Sequence, residues 1–325
     1  MLTVARLRKQ PRHFASFTGL SVEQFETLLC ALTPLYEARE HARKSRPGRH
    51  RAIGGGHPFS LALPERLLMT LMYLRLYVTE SLLGYLFDVH ESSVNRERNQ
   101  RMLPVLLEVL PVPMRDERGL VRPTAGSAPG AAEAARPATR KRIGTLEELL
   151  ERHPEIREVL IDATEQPTQR PKDKQAQKEH YSGKKKRHTL KTQVTAADKL
   201  VLHTSAHVPS SVHDLVLLRF TGVLHRLRGR RSRLDKGYEG VEAEYPEAAI
   251  EKPIKARRNH PLTAFGKAYN RMQSRLRIAV EHVLARLEQY RILAGLYRGQ
   301  RARYDDCFGV VAGLNNFRVL GRLAW

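Results

Sequence analysis

The amino-acid sequence predicts an α/β protein, in which a mixed sheet flanked by helices follows an all-helical region. Up to about residue 110, apolar side chains recur at three- and four-residue spacing, the period of helices that pack against a core. Beyond about residue 157, short runs rich in β-branched residues alternate with helical patterns in the order β-β-β-α-β-α. That order, with the first three strands as a meander, predicts a mixed sheet with helices packed on it.

Composition and pattern divide the 325 residues into four segments. We expect an N-terminal helix and a basic arm over 1–56, three further helices over 57–110, a flexible linker over 111–145 and the α/β domain over 146–325. A chain of this length favours about two folded domains.

The net charge indicates a polyanionic partner. Lysine and arginine outnumber aspartate and glutamate 56 to 34, which gives a formal net charge of +22. An excess of this size attracts nucleic acid, although a need for solubility or a ribosome-like scaffold would produce it too. Two cysteines exclude a disulfide framework and suit a reducing cytosol. Because no stretch of 18 apolar residues or signal-peptide core is present, we expect no membrane partner and a cytoplasmic, nucleoid-associated protein.

The first helix has a clear start signal. Residues 15–36 contain Ser21 followed by Gln24, the capping-box spacing that opens an amphipathic helix. The stretch that follows, EHARKSRPGRHRAIGGGHPFS, is basic and glycine-rich. We interpret it as a linker or as an arm that lies along a phosphate backbone.

Three helical patterns between 61 and 110 have a helix-turn-helix layout. A long helix begins near Pro64, Thr79 opens a short one, and Ser92 or Ser93 is the expected cap of the third. The third helix carries side chains that pair bidentately with adenine and guanine edges, near its start. These are Asn95, Arg96, Arg98, Asn99 and Arg101. An ordinary helical bundle with a solvated third helix is the alternative.

Residues 111–142, rich in proline, alanine and glycine, predict the flexible linker.

The strands of the second half follow in order. REVLIDATEQP predicts a short strand that ends at Asp162, and KKKRHTLKTQVTAA and LVLHTSAHVP predict two more, joined by a turn at Asp198 and Lys199. A helix begins near Asp214, and RSRLDKGYEG then predicts a strand with Asp235 at its C-terminal end. AAIEKP is a candidate for one more strand, and 262–290 has the period of a long helix, continuous or broken once.

Three acids stand out by their placement, since Asp162 and Asp235 close two strands and Glu281 lies within the long helix. Adjacent strand ends lie about 5 Å apart, so the two aspartates converge if their strands pair, and a helix across that edge supplies the third acid. Three oxygen donors suit Mg²⁺ or Mn²⁺. Two such ions about 4 Å apart can activate a water or a 3′-hydroxyl in phosphodiester transfer. The arginines beside Asp235 are then expected to contact phosphate.

Each acid also has a structural alternative. Asp162 would cap the turn after its strand, Asp235 would pair with Arg233, and Glu281 would pair with Arg277 four residues earlier on a solvated helix face. From the residues alone, these alternatives stay open.

Four blocks of the sequence resemble the transposases of bacterial insertion sequences in the large group numbered five. They are LIDATEQPTQRPKDKQAQKEHYSGKKKRHTLKTQV, SSVHD, LDKGYEG and RLRIAVEHVLARLEQYRIL, and the resemblance runs from about 57 to 318. Those transposases are DDE enzymes with a ribonuclease H-like core. The resemblance therefore implies a ribonuclease H-like mixed sheet for 146–325 and a helix-turn-helix DNA-binding domain for 57–110. By the same resemblance, Asp162, Asp235 and Glu281 match the acidic triad that holds Mg²⁺ or Mn²⁺, as two ions.

Two positions depart from the family's pattern around the glutamate. The tyrosine seven residues before it is Ser274 here and the lysine seven after it is Glu288. The arginine four before it is kept as Arg277, which we expect to contact DNA. Loss of the lysine would weaken a DNA contact, for which Arg286 is near enough to substitute. Asp214, in SSVHD, is the alternative second acid, but it begins a helix and does not end a strand.

The run SGKKKRHTLK is the candidate for a phosphate-tracking surface beside the site. Its basic residues are Lys184, Lys185, Lys186, Arg187 and Lys191. A strand edge protected by lysines is the alternative. We expect Tyr181, Lys236 and Tyr238 to shape the site or to stack on a flipped or terminal base. His188, His203 and His207 are assigned no metal.

These observations together predict a transposase that binds double-stranded DNA at the terminal inverted repeats of its element and at the target. It would cleave the element ends, and the freed 3′-hydroxyl would attack target DNA without a covalent protein intermediate. Two ends must be cut together, so a homodimer or a larger synaptic complex is expected. Three alternatives remain: a catalytically inactive, sequence-specific DNA-binding descendant, a structural or RNA-binding basic protein, and a general nuclease with the same fold.

Overall fold

The computed structural model describes residues 1–45, 59–115, 143–256, 261–323 and 325. Most of the predicted arm, 46–58, and most of the predicted linker, 116–142, therefore lie outside the described residues. None of the helices in the described ranges combines the length and the apolar character that crossing a bilayer requires.

The N-terminal third is helical, as predicted. Its helices are α1 (Val4–Arg8), α2 (Pro11–Thr18), α3 (Val22–Lys44), α4 (Leu63–Leu76), α5 (Glu80–Phe87), α6 (Glu91–Arg96) and α7 (Leu103–Val109), the last two joined by a π-helical stretch at Glu97–Met102. The capping box is confirmed, because the Gln24 N–H donates to the Ser21 hydroxyl at 3.1 Å and the Ser21 N–H donates to the Gln24 side chain at 3.0 Å.

The three helices α4, α5 and α6 follow the predicted layout, with one cap misassigned. Thr79 caps α5, accepting a hydrogen bond from the Leu82 N–H. His90, and neither Ser92 nor Ser93, caps α6, because its ring nitrogen accepts from the Ser92 N–H at 3.2 Å. The turn between α5 and α6 requires glycine at position 84, since a Cβ there would lie 2.5 Å from the carbonyl oxygen of Val89.

From Met114 onward, the described residues form eight strands and eight further helices. The strands are β1 (Met114–Arg115), β2 (Glu158–Pro167), β3 (Tyr181–Ser182), β4 (Arg187–Ala197), β5 (Leu200–Thr204), β6 (Val208–Pro209), β7 (Arg231–Arg233) and β8 (Ile250–Glu251). The helices are α8 (Leu146–Arg152), α9 (Lys174–His180), α10 (Asp214–Thr221), α11 (Val223–Arg226), α12 (Val241–Glu244), α13 (Ala264–Glu288), α14 (Arg291–Ala294) and α15 (Tyr304–Leu320), with a 3-10 turn at Arg301–Arg303 before the last. The long helix α13 is unbroken.

The strands form one mixed sheet in the order β1-β5-β4-β2-β7-β8, with β3 and β6 paired to β4. β2, β4 and β5 are antiparallel neighbours, which confirms the meander, and its turn is at Asp198 and Lys199 as predicted. β7 and β8 add in parallel beyond β2. The prediction of a mixed α/β sheet is therefore confirmed. One part of the linker prediction was wrong: Met114 and Arg115 are an edge strand paired with β5, a stretch too short to show periodicity in the sequence.

The N-terminal helices and one face of the sheet share an apolar core. Leu28 of α3 and Leu71 of α4 belong to the same buried cluster as Val194 of β4, Val283 of α13 and Phe317 of α15. A second cluster covers the other face of the sheet. Because the first cluster crosses the boundary predicted between 110 and 146, the helical region and the sheet pack as neighbours with a common interior.

Candidate active site

The sequence predicted that the strand ends at Asp162. In the structure, Asp162 lies in the middle of β2. The strand runs five residues further, to Pro167, because β4 continues to pair with it as far as Thr189. Side chains alternate along a strand, and Leu160 faces the cluster that contains α13 whereas Val159 and Ile161 face the other. Asp162 therefore points to the face on which α13 packs.

Asp235 reaches the same level of the sheet on the neighbouring strand. β2 and β7 are parallel, and Leu160 is opposite Arg233. Two residues further along each chain, Asp162 and Asp235 come side by side, on the same face. The two strands do pair, which is the condition for convergence, and Asp235, predicted at the C-terminal end of its strand, follows the last residue of β7 by two positions.

Arg277 of α13 joins the two carboxylates. Its guanidinium donates to Asp235 Oδ1 at 2.6 Å through Nη1 and approaches Asp162 Oδ2 at 3.4 Å through Nη2. The arginine and Asp162 are largely enclosed, with side chains 18% and 22% exposed, and Asp235 is more open at 43%. Two acids on adjacent strands thus share a single cation supplied by the helix above them.

The positive charge near Asp162 is too small to offset the effects that raise its pKa. Burial raises the pKa of Asp162, and the nearby carboxylates of Asp235 and Asp214 raise it further. The Ala163 N–H, which donates to Asp162 Oδ1 at 2.8 Å, and the Arg277 guanidinium act in the opposite direction. A cation with a higher charge than one guanidinium would stabilise the ionised form of Asp162 more fully.

The arginines that precede Asp235 do not face it. Arg233 is 4% exposed and forms ion pairs with Glu158 and Glu251, and its guanidinium also donates to Gln273 of α13 at 2.8 Å. Arg231 approaches the same two glutamates. The expectation that Arg233 contacts phosphate is therefore wrong, and the alternative in which Asp235 pairs with Arg233 is wrong too. For Arg231, which is exposed, phosphate contact stays a prediction.

Asp214 is close to this site but has a partner of its own. It is the first residue of α10, and its Oδ1 accepts from the ammonium of Lys191 at 2.8 Å. A Cβ at Gly237 would lie 3.5 Å from Asp214 Oδ2, so the loop after Asp235 packs against this carboxylate. Lys191, 6% exposed, is therefore a buried ion-pair partner and does not belong to a phosphate-tracking surface.

Tyr238 is buried beside the acids, so of the two predicted roles its position fits shaping the site and not stacking on a base. It is 1% exposed, and its hydroxyl has no hydrogen-bond partner within the part of the chain that the structure describes. Burial raises the pKa of Tyr238, and the carboxylates of Asp214, Asp162 and Asp235 add to that effect. Tyr181 and Lys236, by contrast, are exposed and remain candidates for contact with DNA.

Glu281 lies on α13 one turn beyond Arg277, and its side chain is exposed. Among the described residues it forms neither a hydrogen bond nor an ion pair, so the alternative in which Arg277 pairs with it is wrong. No three His, Cys, Asp or Glu side chains in the described ranges are clustered as a metal site would need. The predicted convergence of three acids is thus seen for two of them, because Arg277 is placed where Glu281 was expected.

Comparisons with known proteins agree with this geometry. A family described as DDE superfamily endonuclease matches residues 161–316, and a family described as helix-turn-helix of DDE superfamily endonuclease matches 59–110. Over these two segments the chain is similar to DDE superfamily endonucleases. It is similar to the probable transposase for insertion sequence element IS702 of Microchaete diplosiphon, with 28% identity over 95% of each chain. No solved structure matches it. The expectation of a DDE-type transposase with a helix-turn-helix segment is confirmed at that level.

In the helix-turn-helix segment, the predicted base-reading residues differ in exposure and in their side-chain partners. Arg98 is 6% exposed, pairs with Glu80 at 2.6 Å and stacks on Tyr73, so its prediction as a DNA-contacting residue was wrong. Asn95 donates to the same glutamate, and Asn99 donates to Asn95 at 3.2 Å. Arg101 pairs with Glu97 and Glu40. Arg96 is exposed and forms no ion pair with a described residue.

The basic turn between β3 and β4 remains available for contact with phosphate. Lys184, Lys185, Lys186 and Arg187 are all exposed, and Lys186 adopts a left-handed conformation with φ of 52° that makes the turn tight. Among the three histidines left without a metal role, His207 pairs with Asp305 at 3.0 Å and His188 contacts the ring of Tyr181.

Sequence reasoning missed two parts of the site. The pairing of Arg277 with both aspartates was not predicted, because the arginine was treated as a DNA contact. The Lys191–Asp214 pair was also missed, since Lys191 was counted with the exposed lysines. No local signal marked it, because alternation in RHTLKTQV places Lys191 with Thr189 and Gln193, on the face opposite the apolar Leu190 and Val194.

Proposed function

We propose that this chain is a transposase that binds the terminal inverted repeats of an insertion sequence, cleaves the element ends and joins the freed 3′-hydroxyl to target DNA. The observation that carries the proposal is the meeting of Asp162 and Asp235 at one level of the sheet under the guanidinium of Arg277. The strand order also supports a ribonuclease H-like assignment of the catalytic domain, since three antiparallel strands are extended by two parallel ones.

The residues present fit a divalent metal in the chemistry of their donors. Asp162 and Asp235 offer hard carboxylate oxygens, which Mg²⁺ and Mn²⁺ prefer. Arg277 already places positive charge between them, which supports a cation site at these carboxylates. Bound at these carboxylates, Mg²⁺ would polarise the scissile phosphate and lower the pKa of a water or a 3′-hydroxyl. The number of ions, two by the family resemblance, stays a proposal.

The chain's own residues would bind and orient the DNA. Arg277, displaced from the aspartates by the metal, would be free to donate to a phosphate oxygen beside the scissile bond. Glu281, one turn further along α13 and exposed, would be able to turn toward the same edge as the third acid. The turn at Lys184–Arg187 would hold the flanking backbone by its charge, and Arg96 would contact the repeat from the third helix of the helix-turn-helix segment.

A catalytically inactive DNA-binding protein is the second candidate. The observation that favours it is that Arg277 satisfies both aspartates while Glu281 makes no contact with either among the described residues. In such a protein, the arginine would be a permanent structural partner of the acids.

The experiment that separates the two candidates is an end-cleavage assay. The substrate is a duplex from the flanks of the gene that contains the inverted repeat, with a shuffled duplex as the sequence control. Wild type with Mg²⁺ should nick the repeat end and give strand-joined product, whereas Asp162→Asn, Asp235→Asn and Glu281→Gln should bind the duplex and not cut it. Glu247→Gln, an exposed acid outside the site, is the matched control and should cleave like wild type. Specific binding without nicking by wild type would support the inactive candidate.

A further inference from the structure

An open cavity of about 1000 Å³ lies between the N-terminal helices and the ends of α13 and α15. Five basic side chains line it, against a single acid, Asp198. The five are Arg12 of α2, Arg75 of α4, Lys199 of the β4–β5 turn, Arg286 of α13 and Arg318 of α15. Segments far apart in the sequence thus bring positive charge to one concave surface.

This charge is uncompensated, unlike that of most other arginines in the described ranges. There, Arg98, Arg101, Arg219 and Arg233 each pair with a glutamate. In contrast, none of the five cavity residues forms an ion pair with a described residue. Like charges held together without partners cost free energy, which an anion bound in the cavity would relieve.

Arg75 gives a second, independent observation. Its guanidinium lies over the ring of Tyr290, 5.0 Å from the ring centre, and its Nη1 is buried without a hydrogen-bond partner among the described residues. Burial lowers the pKa of Arg75, and the neighbouring Arg318 and Arg291 lower it further. A buried guanidinium N–H without an acceptor is costly, so an acceptor brought by a ligand would stabilise it.

The cavity is close enough to the active site for one DNA duplex to reach both. Arg286 and Arg277 are nine residues apart on α13, roughly 14 Å along the helix. On the sheet, Asp198 follows Val194, the partner of Asp162, by four residues, or roughly 13 Å. Such a separation corresponds to roughly four base pairs along B-form DNA.

We infer that this cavity is a second DNA-binding site, which holds the phosphate backbone of duplex DNA a few base pairs from the bond to be cut. The inference rests on the proposed function for the identity of the DNA but not for the binding itself. The cavity would hold the duplex in register between the helix-turn-helix segment and the acids. Arg286 would thereby replace the lysine that is absent at Glu288.

A neighbouring cavity of about 510 Å³ supplies the matched control. It also touches Asp198, but its arginines, Arg157 and Arg322, are accompanied by Glu155 and Glu158. Both arginines are exposed, as are Lys199 and Arg318 of the basic cavity. The double variants Lys199→Gln/Arg318→Gln and Arg157→Gln/Arg322→Gln therefore remove the same charge from adjacent surfaces.

The test is the dissociation constant of a short duplex, measured by fluorescence anisotropy at several salt concentrations on the full chain. Lys199→Gln/Arg318→Gln should weaken binding roughly tenfold and reduce the salt slope by about 1 to 2, because each phosphate contact contributes about 0.9. The control double variant should change affinity less than threefold. Asp198→Asn, which removes the one acid of the cavity, should tighten binding. Equal weakening by both double variants would overturn the inference.

Two further experiments distinguish this inference from binding of free phosphate and from failure of the proposed function. In the first, inorganic phosphate is added to wild type and to the cavity variant, and thermal stability is followed. Stabilisation that the variant abolishes, with unchanged affinity for DNA, would assign the cavity to free phosphate and overturn the inference. In the second, end cleavage by wild type is measured in parallel with the anisotropy series. Failure of end cleavage would then reject the proposed function while the effect of the cavity variant on DNA binding still stands.

Discussion

Asp162 and Asp235 lie side by side on parallel strands although 72 residues of chain separate them, and one guanidinium holds them together. The register of β2 and β7 aligns the two aspartates, whereas the contact that links their carboxylates is made by Arg277. Without this cation, two carboxylates would face each other over a short distance in a partly enclosed site. The arginine therefore acts as the counter-ion of both carboxylates.

The variant Arg277→Gln tests this role. In the presence of a chelator, we expect a free energy of unfolding about 1 kcal/mol lower than in wild type, because like charges repel and the ion pairs are only partly buried. Mg²⁺ should restore the loss and bind the variant roughly tenfold more tightly, since it no longer competes with the guanidinium. Urea unfolding with and without Mg²⁺, together with calorimetric titration of the ion, measures both effects. Equal Mg²⁺ affinity in the two proteins would contradict the role.

Asp214 should be a structural acid and Asp235 a catalytic one. Asp214→Asn leaves the ammonium of the buried Lys191 with the Val212 carbonyl as its remaining partner among the described residues. We expect a loss of about 2 kcal/mol in the free energy of unfolding, with end cleavage retained in the folded fraction. Asp235→Asn should keep its stability and lose cleavage. If Asp214→Asn unfolds like wild type and does not cut DNA, Asp214 is the second acid of the triad.

Arg233 should be important for folding and not for DNA binding. Arg233→Met leaves Glu158 and Glu251 without their buried cation, and we expect a loss of about 3 kcal/mol. Arg231→Met, at an exposed position on the same strand, is the control and should cost less than about 1 kcal/mol. Chemical unfolding of both variants decides this, and equal losses would argue against the assignment.

The same pair predicts a pH dependence. The hydrogen bond from Arg233 holds the pKa of Glu158 below its usual range. A carboxyl group whose pKa is depressed by folding contributes stability above its unfolded pKa and loses it as the pH falls through the folded value. The difference in unfolding free energy between wild type and Arg233→Met should therefore be constant near neutral pH and shrink below about pH 4. A difference that stays constant into acid would exclude Glu158 as the titrating partner.

Two arginines two positions apart in the helix-turn-helix segment should behave differently. Arg98→Gln removes the buried contact with Glu80 and the stacking on Tyr73, so thermal stability should fall with little change in DNA affinity per folded molecule. Arg96→Gln removes an exposed charge, so stability should hold while DNA affinity falls severalfold and the salt slope drops by about 0.9. Parallel melting curves and anisotropy titrations compare them, and the reverse pattern would refute the assignment.

Local signals in the sequence predicted much of the fold. The capping box at Ser21, the cap at Thr79, the two-residue turn at Asp198 and the strand before Asp235 all depend on residues close in the chain. The edge strand β1 could not be predicted, because its two residues are fixed by pairing with β5, almost 90 positions later. The same holds for the core that the N-terminal helices share with the sheet.

The sequence predicted which residues form the site better than it predicted the contacts between them. Placement at strand ends singled out Asp162 and Asp235, and the structure brings them together. The partner of each charge was harder to predict, because Arg233, Arg98 and Lys191 look alike in a basic sequence whether they are buried or exposed. Only the packing of the fold distinguishes a basic side chain that is paired with a buried carboxylate from one that is exposed to phosphate.

The most direct measurement is the anomalous scattering of Mn²⁺ in crystals of the full chain bound to a repeat-end duplex. We expect a peak with carboxylate oxygens of both Asp162 and Asp235 at about 2 Å, and the guanidinium of Arg277 withdrawn from both. Crystals that bind Mn²⁺ elsewhere, or that keep Arg277 between the two aspartates at saturating Mn²⁺, would contradict a metal-dependent site at this edge of the sheet.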